Sequence, residues 1–259
     1  MEGRIRGKLA LITGASSGIG RSCARRFAED GANLILWARR KDRLDRAAEE
    51  VRREFGVTVD TAAVDVRDRP AVNREAEALA KSGRVPDILV NNAGLAAGLA
   101  KLHEGDPDDW DRMIDTNLKG LLNVSRAILQ QMVKRNAGHV INIGSTAGHQ
   151  TYPGGNVYNA TKFGVKALSD SMNLDVAGTQ VRVSSVDPGH VRTEFAEVRF
   201  HGDRARAEKL YEGFEPLSPD DVADAVAYVA NLPPHVNIAD LIIVPAAQRS
   251  VHLIDRSTK

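Results

Sequence analysis

Tyr158 and Lys162 stand four positions apart in GGNVYNATKFGVKALSDSMNLDVA, and residues of these types at this spacing suit proton transfer. After the glycines, Val157, Ala160, Phe163, Val165, Leu168 and Met172 recur at three and four, which predicts a helix. On a helix, i and i+4 share a face, so the phenol and the ammonium lie side by side. Tyrosine titrates near about 10, too high for a base at neutral pH. A lysine one turn away favours the phenolate and lowers that value. Such a tyrosine can take a proton from an alcohol or give one to a carbonyl. Ser145 closes the strand-like run HVINIGS, where α/β sheets place ligand-contacting groups. Its hydroxyl can bond the same reacting oxygen and hold it toward Tyr158. Y-x-x-x-K alone is a weak signal, because an ordinary polar helix stripe contains such pairs too.

The elements that must position these groups alternate along the chain. Strand-like runs fall at 9–13, 33–38, 57–66, 87–91, 139–145, 181–187 and 241–244. Helical patterns lie between them, at 18–30, 41–55, 69–82, 107–135, 155–177 and 219–231. Val-, Ile- and Leu-rich strands alternating with amphipathic helices predict a parallel sheet covered on both faces. No repeat, low-complexity linker or composition shift marks a boundary, so residues 1–259 read as one doubly wound α/β domain of about seven strands.

The first strand runs into TGASSGIG. Gly14, Gly18 and Gly20 there allow a tight turn, close approach of backbone to a phosphate and close helix packing. The helix that follows offers free N–H groups and a positive dipole end to a pyrophosphate. The second strand ends in Ala38-Arg39-Arg40, where an NAD-preferring site has an acid for the ribose 2′-hydroxyl. A guanidinium instead forks onto a 2′-phosphate, which a carboxylate would repel. NADP(H) is therefore the expected cofactor. Asp42 falls in the next helix's first turn and reads as a dipole partner.

Composition narrows the remaining classes. A formal net charge of +1 gives no electrostatic case for nucleic acid or an anionic membrane. No apolar run approaches the roughly 18 to 20 residues of a membrane span, and the N-terminal residues lack a signal-peptide pattern. Cys23 is the only cysteine, so neither a disulfide framework nor a thiol metal site is expected, and Cys23 reads as packing on the first helix. The seven histidines show no paired metal-ligand spacing, so no metal is expected. A cytoplasmic protein is the starting class.

TGASSGIG (13–20), NNAG (91–94), Asn117, Ser145, YNATK (158–162) and PG (188–189) together resemble the short-chain dehydrogenase/reductase family. The resemblance spans essentially the whole chain, in order. It is nearer to the NADP-dependent serine/3-hydroxy acid dehydrogenases, through LVNNAGLAAG, INIGSTAG, TEFAEVRFHGD and NLPPHVNI. It implies a Rossmann-type doubly wound seven-stranded parallel sheet, and a homotetramer built through the two long helices and the last strand. Asn117 would kink a helix and hold a water of the proton relay; a helix-packing amide is the plainer alternative. Lys162 would also bond the nicotinamide ribose, whose ring's positive charge in the oxidised complex further lowers the tyrosine's pKa. Ser16, Ser17 and Ile19 join the three glycines as cofactor contacts. Asn91, Ala93 and Gly94 would lie under the adenine ribose, and Asp65 and Val66 against adenine, with a helix cap as the alternative for Asp65. Pro188, Gly189, Val191 and Thr193 would cradle the carboxamide. Arg199, in a flap over the site, would take the carboxylate of a small hydroxy acid, with Tyr152 completing the pocket and His149 lining its entrance; pinning the flap is the alternative for Arg199. The expected reaction is hydride exchange with serine or 3-hydroxypropionate, or reduction of the matching semialdehyde or keto acid. A 3-oxoacyl-carrier-protein or general ketone reductase is the other reading. Against it, ADLIIVPAAQRS (239–250) stands where those enzymes carry a glycine-rich L-x-V-D-G-G segment.

Overall fold

The computed structural model describes residues 3–257, so the first and last two residues of the expected domain lie outside it. Seven strands form one parallel sheet: β1 (Leu9–Thr13), β2 (Asn33–Ala38), β3 (Val59–Ala63), β4 (Ile88–Asn91), β5 (Gly138–Ile143), β6 (Val181–Pro188) and β7 (Asp240–Ile243). Their order is β3-β2-β1-β4-β5-β6-β7, so the winding reverses between β1 and β4. A doubly wound sheet opens a crevice at the carboxyl ends of the strands flanking such a reversal. The expected strand 57–66 is shorter, Val59–Ala63: Val64 N–H makes the last bond to β2, on Ala38 O at 3.1 Å, and a turn begins at Val66.

Side chains alternate between the two faces along each strand, as period 2 requires. Ala10, Ile12, Leu34 and Leu36 pack into one buried cluster with Phe27 and Val226. These last two belong to helices α1 (Gly18–Glu29) and α9 (Pro219–Ala230), which pack on each other. Leu11, Ile35 and Trp37 point the other way, into a cluster with Val72, Ile128 and Val165. Helices α3 (Arg69–Lys81), α5 (Leu121–Arg135) and α6 (Asn156–Asp175) cover that face, and α2 (Lys41–Phe55) follows β2. Start signals sit where the chemistry wants them: Asp68 accepts from Ala71 N–H ahead of Pro70, and Ser218 and Asp221 form a reciprocal capping box.

The single helix expected over 107–135 is three segments. Between α4 (Pro107–Ile114) and α5, residues Asp115–Gly120 form a π-helical turn. Such insertions often occur at functional sites. Beyond β6, two helices too short to read from periodicity, α7 (Phe195–Arg199) and α8 (Arg204–Lys209), build a small core of their own from Ala196, Phe200, Ala207, Tyr211 and Phe214. Ala247 and Ile254 of the C-terminal tail pack on it.

Candidate active site

The crevice at the reversal is a cleft of about 340 Å³. One wall is the turn after β1: Gly14, Ser16, Ser17, Gly18 and Ile19 all line it. Gly14 and Gly18 take φ of +66° and +51°, which L side chains rarely adopt. Gly20 does not line the cleft; a Cβ there would meet Asn92 Nδ2 at 2.4 Å and Gly14 O at 2.6 Å, so its part is packing. Arg39, Arg40, Asp65 and Val66 line the far end, and Ala93 and Gly94 line the cleft as well. Asn91 does not reach it. That side chain is buried, its amide donating to Ser125 Oγ and Asn142 Oδ1 at 2.9 Å each. Its neighbour Asn92 lines the cleft instead and donates to Thr13 O at 2.9 Å; in NNAG both asparagines look alike, and only register on the strand separates them.

A glycine- and serine-rich turn of small side chains, leading into the N-terminus of α1, fits a pyrophosphate. Arg39 and Arg40, at the distal end, fit an additional phosphate. Arg39 is exposed and has no ion pair or side-chain hydrogen bond among the described residues. Arg40 reaches across to Ser17 Oγ at 2.7 Å and Glu194 at 3.0 Å. Asp65 is not a helix cap, since Asp68 holds that place; it accepts from the Arg67 backbone and guanidinium, which keeps its carboxyl below the usual range even though burial opposes this.

At the other end stand Ser145, Tyr158 and Lys162, each buried and each lining the cleft, with Pro188, Gly189, Val191 and Thr193 opposite. Ser145 follows β5 in extended conformation, its Oγ accepting from Ala147 N–H at 3.1 Å. Tyr158 and Lys162 share a face of α6, as their spacing predicts, with the ammonium 5.9 Å from the ring centroid. Lys162 Nζ donates to Ile143 O at 2.9 Å, and burial, partly offset by Asp187, brings it down to about 8. Tyr158 departs from expectation. Burial, with a smaller push from Tyr152, raises its phenol above the ordinary value, because desolvation disfavours the phenolate. The groups that ease its ionisation are the hydrogen-bonding Ser145 hydroxyl and the Arg199 cation.

Asn117 lies in the π-helical turn, 2 % exposed. Its oxygen accepts from Leu95 N–H at 2.9 Å, and its nitrogen donates to Leu95 O at 2.8 Å and Thr161 Oγ1 at 3.0 Å. Both ends of the amide are thus engaged by protein groups. Arg199 and Tyr152 lie behind the tyrosine rather than on the cleft wall. The Arg199 guanidinium carbon is 5.5 Å from the Tyr158 ring centroid; its NH2 donates to Tyr152 Oη at 2.7 Å and its Nε to Gly98 O at 3.2 Å. Arg199 is 8 % exposed and meets no carboxylate among the described residues. His149 does not line the entrance: it is bonded to the buried Asp187, with Asp240 at 3.7 Å. Glu194, Phe195 and Val198 line the cleft without a signal of their own in the sequence, apart from their place next to Thr193.

Comparisons with known proteins agree with this geometry. Residues 8–203 match the family model of the short chain dehydrogenases. The NADP-dependent 3-hydroxy acid dehydrogenase YdfG of Salmonella typhi is 48 % identical over 241 residues, 93 % of this chain and 96 % of that protein. Sulfoacetaldehyde reductase 2 of Chromohalobacter salexigens is 45 % identical over 96 % of this chain and 98 % of its own. The closed form of a serine dehydrogenase complexed with NADP⁺ superposes with a TM-score of 0.89 at 46 % identity, covering 95 % of this chain and 98 % of the other. The protein is an NADP-dependent oxidoreductase acting on hydroxyl groups, and it belongs to the short-chain dehydrogenase/reductase family.

Proposed function

We propose that this enzyme interconverts small 3-hydroxy acids, of the size of serine or 3-hydroxypropionate, with the corresponding semialdehydes or keto acids. The observation that carries the reading is Arg199: a buried guanidinium beside Tyr158, with no carboxylate partner among the described residues. Burying a cation without an anion is costly, and a forked guanidinium suits a substrate acid group. The two curated relatives support this, since both are named for small anions, a carboxylate in one and a sulfonate in the other.

NADP(H), when bound, supplies or takes the hydride. Tyr158 gives its proton to the substrate oxygen in reduction and recovers it in oxidation. Ser145 donates to the same oxygen and keeps it within reach. Lys162, anchored on Ile143 O, would bond the ribose hydroxyls of a bound cofactor and places its ammonium near the phenol ring. Asn117 acts by position, tying the π-helical turn to Leu95 and to α6. Gly14, Ser16, Ser17, Gly18 and Ile19 hold the pyrophosphate, with Gly20 keeping the helix close. Arg39 and Arg40 take the 2′-phosphate. Asp65, Val66, Ala93 and Gly94 bound the adenosine, with Asn91 bracing the strand beneath, and Pro188, Gly189, Val191 and Thr193 bound the carboxamide.

The chain acts as a single domain in a cytoplasmic homotetramer. Exposed apolar side chains on the expected contact elements support the assembly: Leu122 and Val133 on α5, Phe163 and Leu174 on α6, and Ile242 on β7. Light scattering on the eluting protein tests that part. A panel of serine, 3-hydroxypropionate, isethionate, a 3-oxoacyl thioester and neutral secondary alcohols, each with both cofactors, tests the substrate. Preference for the thioester or the neutral alcohols would overturn the assignment.

A further inference from the structure

Glu194 sits where two halves of the site meet. It immediately precedes α7, the helix that carries Arg199, and it lines the same cleft as Arg39 and Arg40. Its carboxylate forks: one oxygen accepts from Arg40 at 3.0 Å, the other from Arg43 at 2.8 Å. Burial works against its ionisation, but the hydrogen bonds and charges of the two guanidinium groups outweigh that and hold it below the ordinary carboxylate range. All three side chains are nearly half exposed, so the ion pairs are weak and their partners exchangeable. Arg40 also donates to Ser17 in the glycine turn, which places its guanidinium between the phosphate-binding turn and Glu194.

We propose that Glu194 is a specificity-determining residue for the cofactor: its carboxylate competes with the 2′-phosphate for Arg40 and so limits the preference for NADP(H) over NAD(H). This rests on the assignment of Arg40 to the 2′-phosphate. A guanidinium already bonded to a carboxylate must give up that partner before it can fork onto a phosphate, and only the phosphorylated cofactor asks it to. The second arm of the fork, on Arg43, lets Glu194 yield Arg40 while the base of α7 stays attached to α2.

The test is direct binding, read by nucleotide fluorescence, of NADPH and NADH to wild type and to Glu194→Gln. The glutamine keeps the size and removes the charge. We expect NADPH to bind about fivefold more tightly and NADH to be nearly unchanged, so that the ratio of the two dissociation constants rises. In an Arg40→Ala background the same substitution should leave the ratio where it was, because the contested guanidinium is gone. An unchanged or lowered ratio in the single variant would overturn the proposal and leave Glu194 as a tether of the flap. A full effect in the Arg40→Ala background would overturn it too, since direct repulsion rather than competition for Arg40 would then be the cause. A wild type that favours NADH would instead defeat the assignment of the arginines, a different result from either.

Discussion

The floor of the site and its distal rim are built on opposite terms. At the floor, where β5 meets α6, Ser145, Tyr158 and Lys162 are all buried and Lys162 is bonded to a fixed backbone partner. At the rim, Arg39, Arg40 and Glu194 are exposed, and Arg40 divides itself among Ser17, Ser16 and Glu194. Chemistry needs preorganised groups in a dry setting, where displacement is costly and proton affinities can be moved. Recognition of a charged cofactor needs groups that trade one partner for another. Substitutions at the floor should therefore act on turnover, and those at the rim on affinity.

The largest effect should come from the floor. Tyr158→Phe removes the one proton donor, so kcat should fall by roughly 10² to 10⁴ while NADPH still binds. Stopped-flow turnover with parallel fluorescence titration separates the two, and a variant within a few-fold of wild type would falsify the floor's role. Next comes Arg199, which belongs to the flap but lies against the floor. Arg199→Ala should lower kcat/KM for 3-hydroxypropionate by about 10²-fold, the size of a lost charge-assisted bond, and spare a neutral alcohol of similar size. A uniform loss across acids and alcohols would mean that its bonds to Gly98 and Tyr152 only pin the flap. At the rim, Arg39→Ala should weaken NADPH by about ten- to a hundred-fold and leave NADH nearly unchanged. Equal losses for both would show that Arg39 does not meet the phosphate.

The smallest effect concerns a buried base below the floor. His139 on β5 accepts from Arg182 at Nδ1, 3.1 Å away, and so carries its proton on Nε2, toward Ser184 Oγ at 2.8 Å. Burial, with the Arg182 charge, brings it down to about 3. A folded-state value below the unfolded one means stability that is complete above about 6.5 and is lost as pH falls toward 3, with a slope of up to about 1.4 kcal/mol per pH unit. Urea unfolding of wild type and His139→Gln at pH 7 and pH 5 should show the variant losing less between the two. Parallel losses would mean that other groups set the acid limb.

Much of the site was legible because its residues sit at element ends whose boundaries follow from periodicity. Tyr158 and Lys162 share a face because a helix has 3.6 residues per turn, and Gly14 and Gly18 mark the turn because only glycine accepts its dihedral angles cheaply. The π-helical turn was not legible, since apolar spacing read over 107–135 does not resolve a local change of hydrogen-bond partner. Nor was the idleness of Asn91 beside Asn92, which depends on which residue of β4 faces the cleft.

What the sequence by itself determined is whatever depends on local geometry: the alternation of strands and helices, the winding they must adopt, the glycine turn, the shared face of Tyr158 and Lys162 and the exchange of an acid for Arg39 and Arg40. What only the tertiary structure decided is whatever depends on burial and on distant partners. The tyrosine's phenol is raised rather than lowered because α6 is packed down onto the sheet and burial disfavours the phenolate. Arg199 meets no acid among the described residues, and Glu194 finds two bases, because the segment at α7 folds back across more than a hundred residues of chain to meet Gly98 and Arg40. No spacing rule reaches that far, because contacts at such separation are set by how the whole sheet and its covering layers close.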